Sequence, residues 1–226
     1  LSLAILSRLG LPGLVTAPIQ EVLERGTQRI SPGAGSLMAR ALRIANVYAL
    51  LPLYANVRAD SVMPLALGAI NRAVSLDSSL AEAFASRGAL LQANWQWPEA
   101  ERDYERSIKL DPNYGPAYGN RARIFRDKGE RARALADFGK SLQLMPNNDR
   151  DAYARANMYF DDHDYARALE NYDRAIKANA SYAGVFNARC MTRAILGQLQ
   201  EALADCEQSL RMRPGDPYTL DSRALT

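Results

Sequence analysis

Residues 81–112 read AEAFASRGALLQANWQWPEAERDYERSIKLDP, and the architecture follows from them. Apolar and small residues return at helical spacing through Phe84, Gly88 and Leu91, then through Ala100, Tyr104, Ser107 and Ile108. Trp95, Trp97 and Pro98 separate the two runs. Proline suits the first turn of a helix, because the N–H it lacks would be unpaired there anyway. Asp111-Pro112 ends the second run, since the residue before a proline is pushed away from helical dihedrals. Two short helices joined by a tight turn are predicted.

The unit recurs at one fixed spacing. Gly88 is followed by Ala122, Ala156, Cys190 and Ala224; Ala100 by Ala134, Ala168 and Ala202; Tyr104 by Phe138, Tyr172 and Cys206. Ser107 is followed by Ser141, Ala175 and Ser209, and Pro112 by Pro146, Ala180 and Pro214. A fixed period of this length marks a solenoid, in which each helix pair buries its apolar face against its neighbours. Small residues at one position and rings at the other predict close helix pairs, filled by Tyr104, Phe125, Phe138, Tyr159 and Tyr172.

This pattern of small and aromatic residues with a closing proline resembles the tetratricopeptide (TPR) repeat over roughly residues 47–226. The resemblance implies an all-α, right-handed solenoid (superhelix) of antiparallel helix-turn-helix units. Four good units are expected at 81–114, 115–148, 149–182 and 183–216, with a degenerate one at 47–80. In that degenerate unit Pro64, Ala66, Ile70 and Ala73 keep the register of the second helix. Residues 217–226 start a further helix, and residues 1–46 are expected to form N-terminal helices, or a cap, outside the register. Within that cap, 17–30 reads as a helix, 31–35 as a loop and 36–56 as one long helix kinked at Pro52. The apolar opening LSLAILSRLGLPGLVTA is interrupted by Arg8 and Pro12, which favours an amphipathic capping helix over a signal peptide. A chain that begins at Leu1 and ends just inside a new repeat reads as a fragment of a longer protein, or a processed form.

Composition narrows the function. Apolar residues at 48% and charged residues at 23% fit a soluble folded chain rather than a disordered one. A net charge of +3 provides no global field for nucleic acid. No uninterrupted apolar run is long enough to predict a membrane span. Two cysteines and one histidine leave little scope for a metal site, and no phosphate loop or nucleophile motif is present. No catalytic, cofactor-binding or metal residue is therefore predicted, and no enzyme. His163, in the turn Asp161-Asp162-His163-Asp164, is read as part of a polar capping turn.

Arginine recurs with the period at Arg87, Arg121, Arg155, Arg189 and Arg223. At one constant distance after the first four stand Asp103, Asp137, Asn171 and Asp205. In a hairpin turning midway, the two positions lie opposite, so a structural ladder of Arg–Asp pairs is expected between the paired helices. The plain alternative is a solvated face, where each pair contributes about 0–1 kcal/mol. TPR units usually carry Leu at the arginine position, and Gly119-Asn120-Arg121-Ala122 resembles arrays with an Asn-Arg-Gly segment. Cys190 and Cys206 share that same spacing on facing helices. They are expected to be small buried thiols, because a disulfide demands a narrow geometry.

By resemblance to TPR arrays, the first helix of each unit lines a concave groove. Its outward positions here are Glu82, Ala85, Ala89 and Gln92, then Gly119, Arg123, Arg126 and Asp127. Next come Arg150, Tyr153, Asn157, Phe160 and Asp161, and then Asn187, Met191 and Ile195. The candidate peptide-binding site is Arg123, Arg126, Arg150, Tyr153, Asn157 and Phe160. Residues 115–144 hold seven Lys/Arg against three Asp/Glu, so an acidic protein or peptide partner is expected, carboxylates being held by arginine forks. The carboxylate clamp of chaperone-binding TPR domains is not matched, since its lysine positions hold Ala85 and Arg150. The expected function is a non-enzymatic protein–protein interaction scaffold binding a peptide or helix in the groove. Two alternatives stand beside it. Trp95-Gln96-Trp97-Pro98-Glu99-Ala100-Glu101 resembles TPR regions of bacterial cyclases and winged-helix regulators, which implies an interaction or sensory arm of such a protein. Self-association through an apolar edge at Leu220, Ala224 and Leu225 is the other.

Overall fold

The same turn geometry is used four times in the computed structural model, which describes residues 59–226. The expectations for residues 1–58, including the cap and the first helix of the degenerate unit, lie outside the described residues. Helices of two lengths alternate, and each pair starts at the same interval after the last. The 13-residue helices are α2 (Ala81–Ala93), α4 (Gly115–Asp127), α6 (Asp149–Asp161) and α8 (Ala183–Ile195). The 14-residue helices are α3 (Trp97–Leu110), α5 (Arg131–Leu144), α7 (Tyr165–Ala178) and α9 (Leu199–Met212). Ahead of them lies α1 (Ala59–Leu76), and after them α10 (Pro217–Ala224). The described residues contain no strand.

The middle residue of each tight turn is left-handed: Trp95 at φ 60, Gly129 at 77, His163 at 59 and Gly197 at 75. This geometry lets the chain reverse at once, and glycine adopts it without steric cost. Two of the following helices have a marked start: α3 has Pro98 in its first turn, and α7 has the cap Asp164, whose carboxylate accepts the Arg167 backbone N–H. Asn148 and Asp216 cap α6 and α10 in the same way. Pro64 departs from expectation by sitting inside α1 rather than at its start, because α1 already begins at Ala59.

The described chain divides into two compact units, one ending at Ala117 and one spanning Tyr118–Thr226; each is described by itself. In the first, α1 packs on α2 and α2 on α3. Ile70, Phe84, Leu90 and Tyr104 are buried there with Ala66, Ala73 and Ala100. Gly88 gives the Tyr104 ring its room, since a methyl at Gly88 would stand 2.8 Å from Cε1.

In the second unit, Ala122, Phe125, Ala134, Phe138, Ala154 and Met158 form one core cluster. Leu142, Ala152, Ala156, Tyr159, Ala168, Tyr172, Ala175 and Val185 form the next. The buried rings rest on alanines with no exposed surface, the small-against-large contact that close helix pairing needs. Helix α8 pairs with α9, and α10 packs on both.

The last pair corrects the sequence reading of its cysteines. Cys190 and Cys206 are joined by a disulfide with Cα atoms 5.4 Å apart, inside the usual range. The reason is the repeat itself. Cys206 stands where Tyr104, Phe138 and Tyr172 fill the other pairs, and Cys190 where Gly or Ala makes room. Two small residues at a contact built for one ring bring their sulfurs together, and the bond fills the gap.

Candidate functional site

A ladder of arginines bridges the paired helices. Arg87 donates through Nε and Nη2 to Asp103 at 2.7 and 2.6 Å. Arg121 grips Asp137 in the same bidentate way at 2.7 and 3.0 Å. Arg189 holds Asp205 at 2.8 and 2.5 Å, and Arg193 adds a second cation to that carboxylate at 2.6 Å. The aspartates are 4–8% exposed, so the pairs sit between the helices rather than on a solvated face. The Asp103 hydrogen bond also raises the Arg87 pKa, outweighing burial. One rung departs from the pattern. Arg155 does not reach Asn171, whose amide donates instead to the Arg167 carbonyl within its own helix. A neutral amide offers no charge to draw the guanidinium, and Arg155 Nη2 donates to the Tyr159 hydroxyl at 3.1 Å. Arg223, on α10, is exposed.

A pocket of about 560 Å³ lies in the second unit. Helices α4 and α6 supply Arg123, Arg126, Asp149, Arg150, Tyr153, Ala154 and Asn157, and the approach to α8 adds Asn179, Ser181 and Tyr182. All the candidate groove residues but one thus line a single cavity. Phe160 does not: its ring packs edge-on against Tyr165 with centroids 5.5 Å apart. One turn along from Asn157, the α6 helix has moved past the pocket.

The three arginines differ in what they have left to offer. Arg123 is committed internally, to Asn120 Oδ1 at 2.9 Å and to Asp151. Arg126 pairs with its neighbour Asp127 at 2.8 Å. Arg150 is exposed and has no side-chain partner among the described residues. Asp151 is completely buried and also accepts Ser141 Oγ at 2.6 Å and Asn148 Nδ2 at 2.8 Å. Gly119, expected as a groove position, serves this carboxylate: a methyl there would collide with Asp151 Oδ2.

The floor is aromatic and polar. Tyr153 meets Tyr182 edge-on at 5.2 Å and Tyr172 at 6.0 Å. Tyr172 donates to Asn157 Oδ1 at 2.8 Å, which fixes that amide with its N–H groups available to a ligand. Burial, then Tyr153, raises the Tyr172 phenol pKa, and the same two causes raise that of Tyr182. Both hydroxyls therefore remain protonated donors at neutral pH. Asn179 donates to Asp149 Oδ2 at 2.8 Å and closes the rim.

Sequence reasoning missed Asp151 and Tyr182. A carboxylate on a predicted helix looks like ordinary surface; only the separation of Gly119 and Asp151, close to one period, hinted at a contact. Tyr182 lies in a loop, where repeat register says least. Among the described residues, no group of histidine, cysteine or acidic side chains is placed to hold a metal. No described helix is long and apolar enough to cross a membrane.

Known proteins share the repeat. A family model described as Tetratricopeptide repeat matches residues 115–148. The fold is similar to that of PilF from Pseudomonas aeruginosa (17% identity, 92% of this chain and 98% of that chain, TM-score 0.70). It is also similar to YrrB, described as a TPR protein with an unusual peptide-binding site (16% identity, 91% and 97%, TM-score 0.60). TTC0263, a thermophilic TPR protein of Thermus thermophilus, is a third (19%, 83% and 95%, TM-score 0.57). No curated protein matches the chain. Residues 115–148 thus match a tetratricopeptide repeat, and the described helix pairs return at one fixed period on either side of it, in the all-α repeat fold of these solved structures.

Proposed function

We propose that this protein is a non-catalytic interaction scaffold that holds an extended, acidic peptide segment in the pocket of its second unit. TPR proteins serve in general as protein-interaction scaffolds, and a similar fold, YrrB, is described as having a peptide-binding site. The observation that carries the reading is the lining of the pocket: an unpaired Arg150 beside Tyr153, Tyr182 and a pre-set Asn157 amide. Arginine takes a carboxylate bidentately, the amide holds peptide backbone, and the rings give apolar anchors.

The acidic preference rests on Arg150 more than on local charge, because Arg123 and Arg126 already have carboxylate partners. Display selection from a random peptide library tests this. Selected peptides are expected to carry Asp or Glu and to bind Arg150→Glu at least about tenfold more weakly, the equivalent of one charge-assisted contact. Failure to enrich any peptide, or unchanged affinity in Arg150→Glu, would remove the pocket from consideration.

A second reading, self-association through α10, is supported by the exposure of Tyr218, Leu220 and Leu225 at 75, 40 and 61%. Light scattering across a concentration series decides it: a mass that does not change with concentration excludes this route.

A further inference from the structure

The ladder has one unfilled rung. Each repeat arginine has two neighbouring positions, equally far along the chain after it and before it. Arg189 uses both, Asp205 and Asp173, and Arg87 uses Asp103 and Asn71. At Arg155 the two positions hold Asn171, turned away, and Gly139, which has no side chain. Arg155 therefore lacks any carboxylate partner among the described residues. It keeps only the Tyr159 hydroxyl and the face of that ring, 5.4 Å away. Its Nε is buried without a hydrogen-bond partner. A buried, unpaired guanidinium N–H is costly, and a native structure that tolerates one calls for an explanation.

Gly139 lies inside α5, where glycine weakens a helix, and its φ is not left-handed. No crowding demands it either: the only atom near a Cβ built there is Arg155 Nη2, at 4.0 Å. The space it leaves is the space that Asp173 occupies beside Arg189, and Asp173 is 56% exposed, so this position faces solvent. Arg167, its guanidinium 4.9 Å from the Tyr159 ring, is already paired with Asp164 at 2.6 Å, so Arg155 is the uncommitted cation beside that ring.

We propose that Arg155, over Gly139, is a docking point for an aspartate or glutamate side chain of a partner polypeptide, which completes the rung from outside. Arg155 stands midway between Tyr153 and Asn157 in the sequence. At about 100° per residue it sits on the opposite side of α6 from the pocket, so this site stands or falls separately from the groove reading.

The test follows the Nε–Hε signal of Arg155 in arginine-labelled protein by NMR, assigned by its loss in Arg155→Lys. The probe is the blocked tripeptide acetyl-Gly-Asp-Gly-amide, with acetyl-Gly-Asn-Gly-amide as control. The expected result is a saturable shift at Arg155, about tenfold weaker with the Asn peptide and absent at Arg189. Gly139→Asp, which fills the rung on the side where Asp173 stands beside Arg189, is expected to abolish the shift. Should that variant fail to fold, Gly139→Glu fills the same side. Equal shifts at Arg155 and Arg189, or a shift that persists in a folded rung-filled variant, would overturn the proposal. A shift that grows with protein concentration in the absence of peptide makes a second copy the occupant and overturns it as well.

Discussion

Asp151 has no exposed surface and gathers donors from Ser141, Asn148 and Arg123. Removing the cation leaves the carboxylate buried without a counter-charge. Arg123→Ala is expected to cost about 3 kcal/mol, the range for breaking one side of a buried pair. Urea denaturation checks this, and adding Asp151→Asn to that variant is expected to recover part of the loss. The turn residue makes a prediction of the opposite sign. His163 holds a left-handed φ of 59 where two other repeats have glycine. Relief of that strain in His163→Gly is expected to stabilise by up to about 1 kcal/mol, reduced by the lost contact with Tyr165. A thermal melt below wild type would show that the His163–Tyr165 contact outweighs the strain. Gly129 and Gly197 suit this turn by residue type, whereas nothing in Trp95 or His163 points to it, because a side chain makes the left-handed conformation uncommon.

In the helix pair, the ladder and the disulfide began from the same clue, equally spaced positions on facing helices. Charge patterning predicted Arg87–Asp103, Arg121–Asp137 and Arg189–Asp205 because opposite charges seek each other over a range of distances. A disulfide forms within a narrow one, so spacing alone left thiols as the expectation, and the Cα separation of 5.4 Å decides otherwise. Closing a loop of this size stabilises by about 3 kcal/mol in the chain-entropy model. Cys190→Ser with Cys206→Ser is expected to lose that amount, and reduced wild type to approach the same melting temperature. A double variant as stable as the oxidised protein would show that packing alone holds α8 to α9.

Across a whole repeat array, stability is a sum over neighbours, so helices packed on both sides are the best protected. Within the second unit the largest cluster runs from Leu142 on α5 through α6 and α7 to Val185 on α8. The short α10 leaves Tyr218 and Leu225 largely exposed. Hydrogen exchange is expected to be slowest in α6 and α7 and at least about tenfold faster in α10. Uniform protection across the unit would show that it opens only as a whole.

What every unit repeats could be read from the chain alone: two helices and a tight turn, one fixed spacing, and small residues set against rings. These depend on residue type and local spacing, which every repeat states again. What is particular to one repeat came only with the packed helices: the bond between the cysteines, the commitment of Arg123 to Asp151, the departure of Phe160 from the pocket and the unfilled rung at Arg155. Each of these turns on a small distance between side chains from different helices, and a one-dimensional pattern carries no such distance.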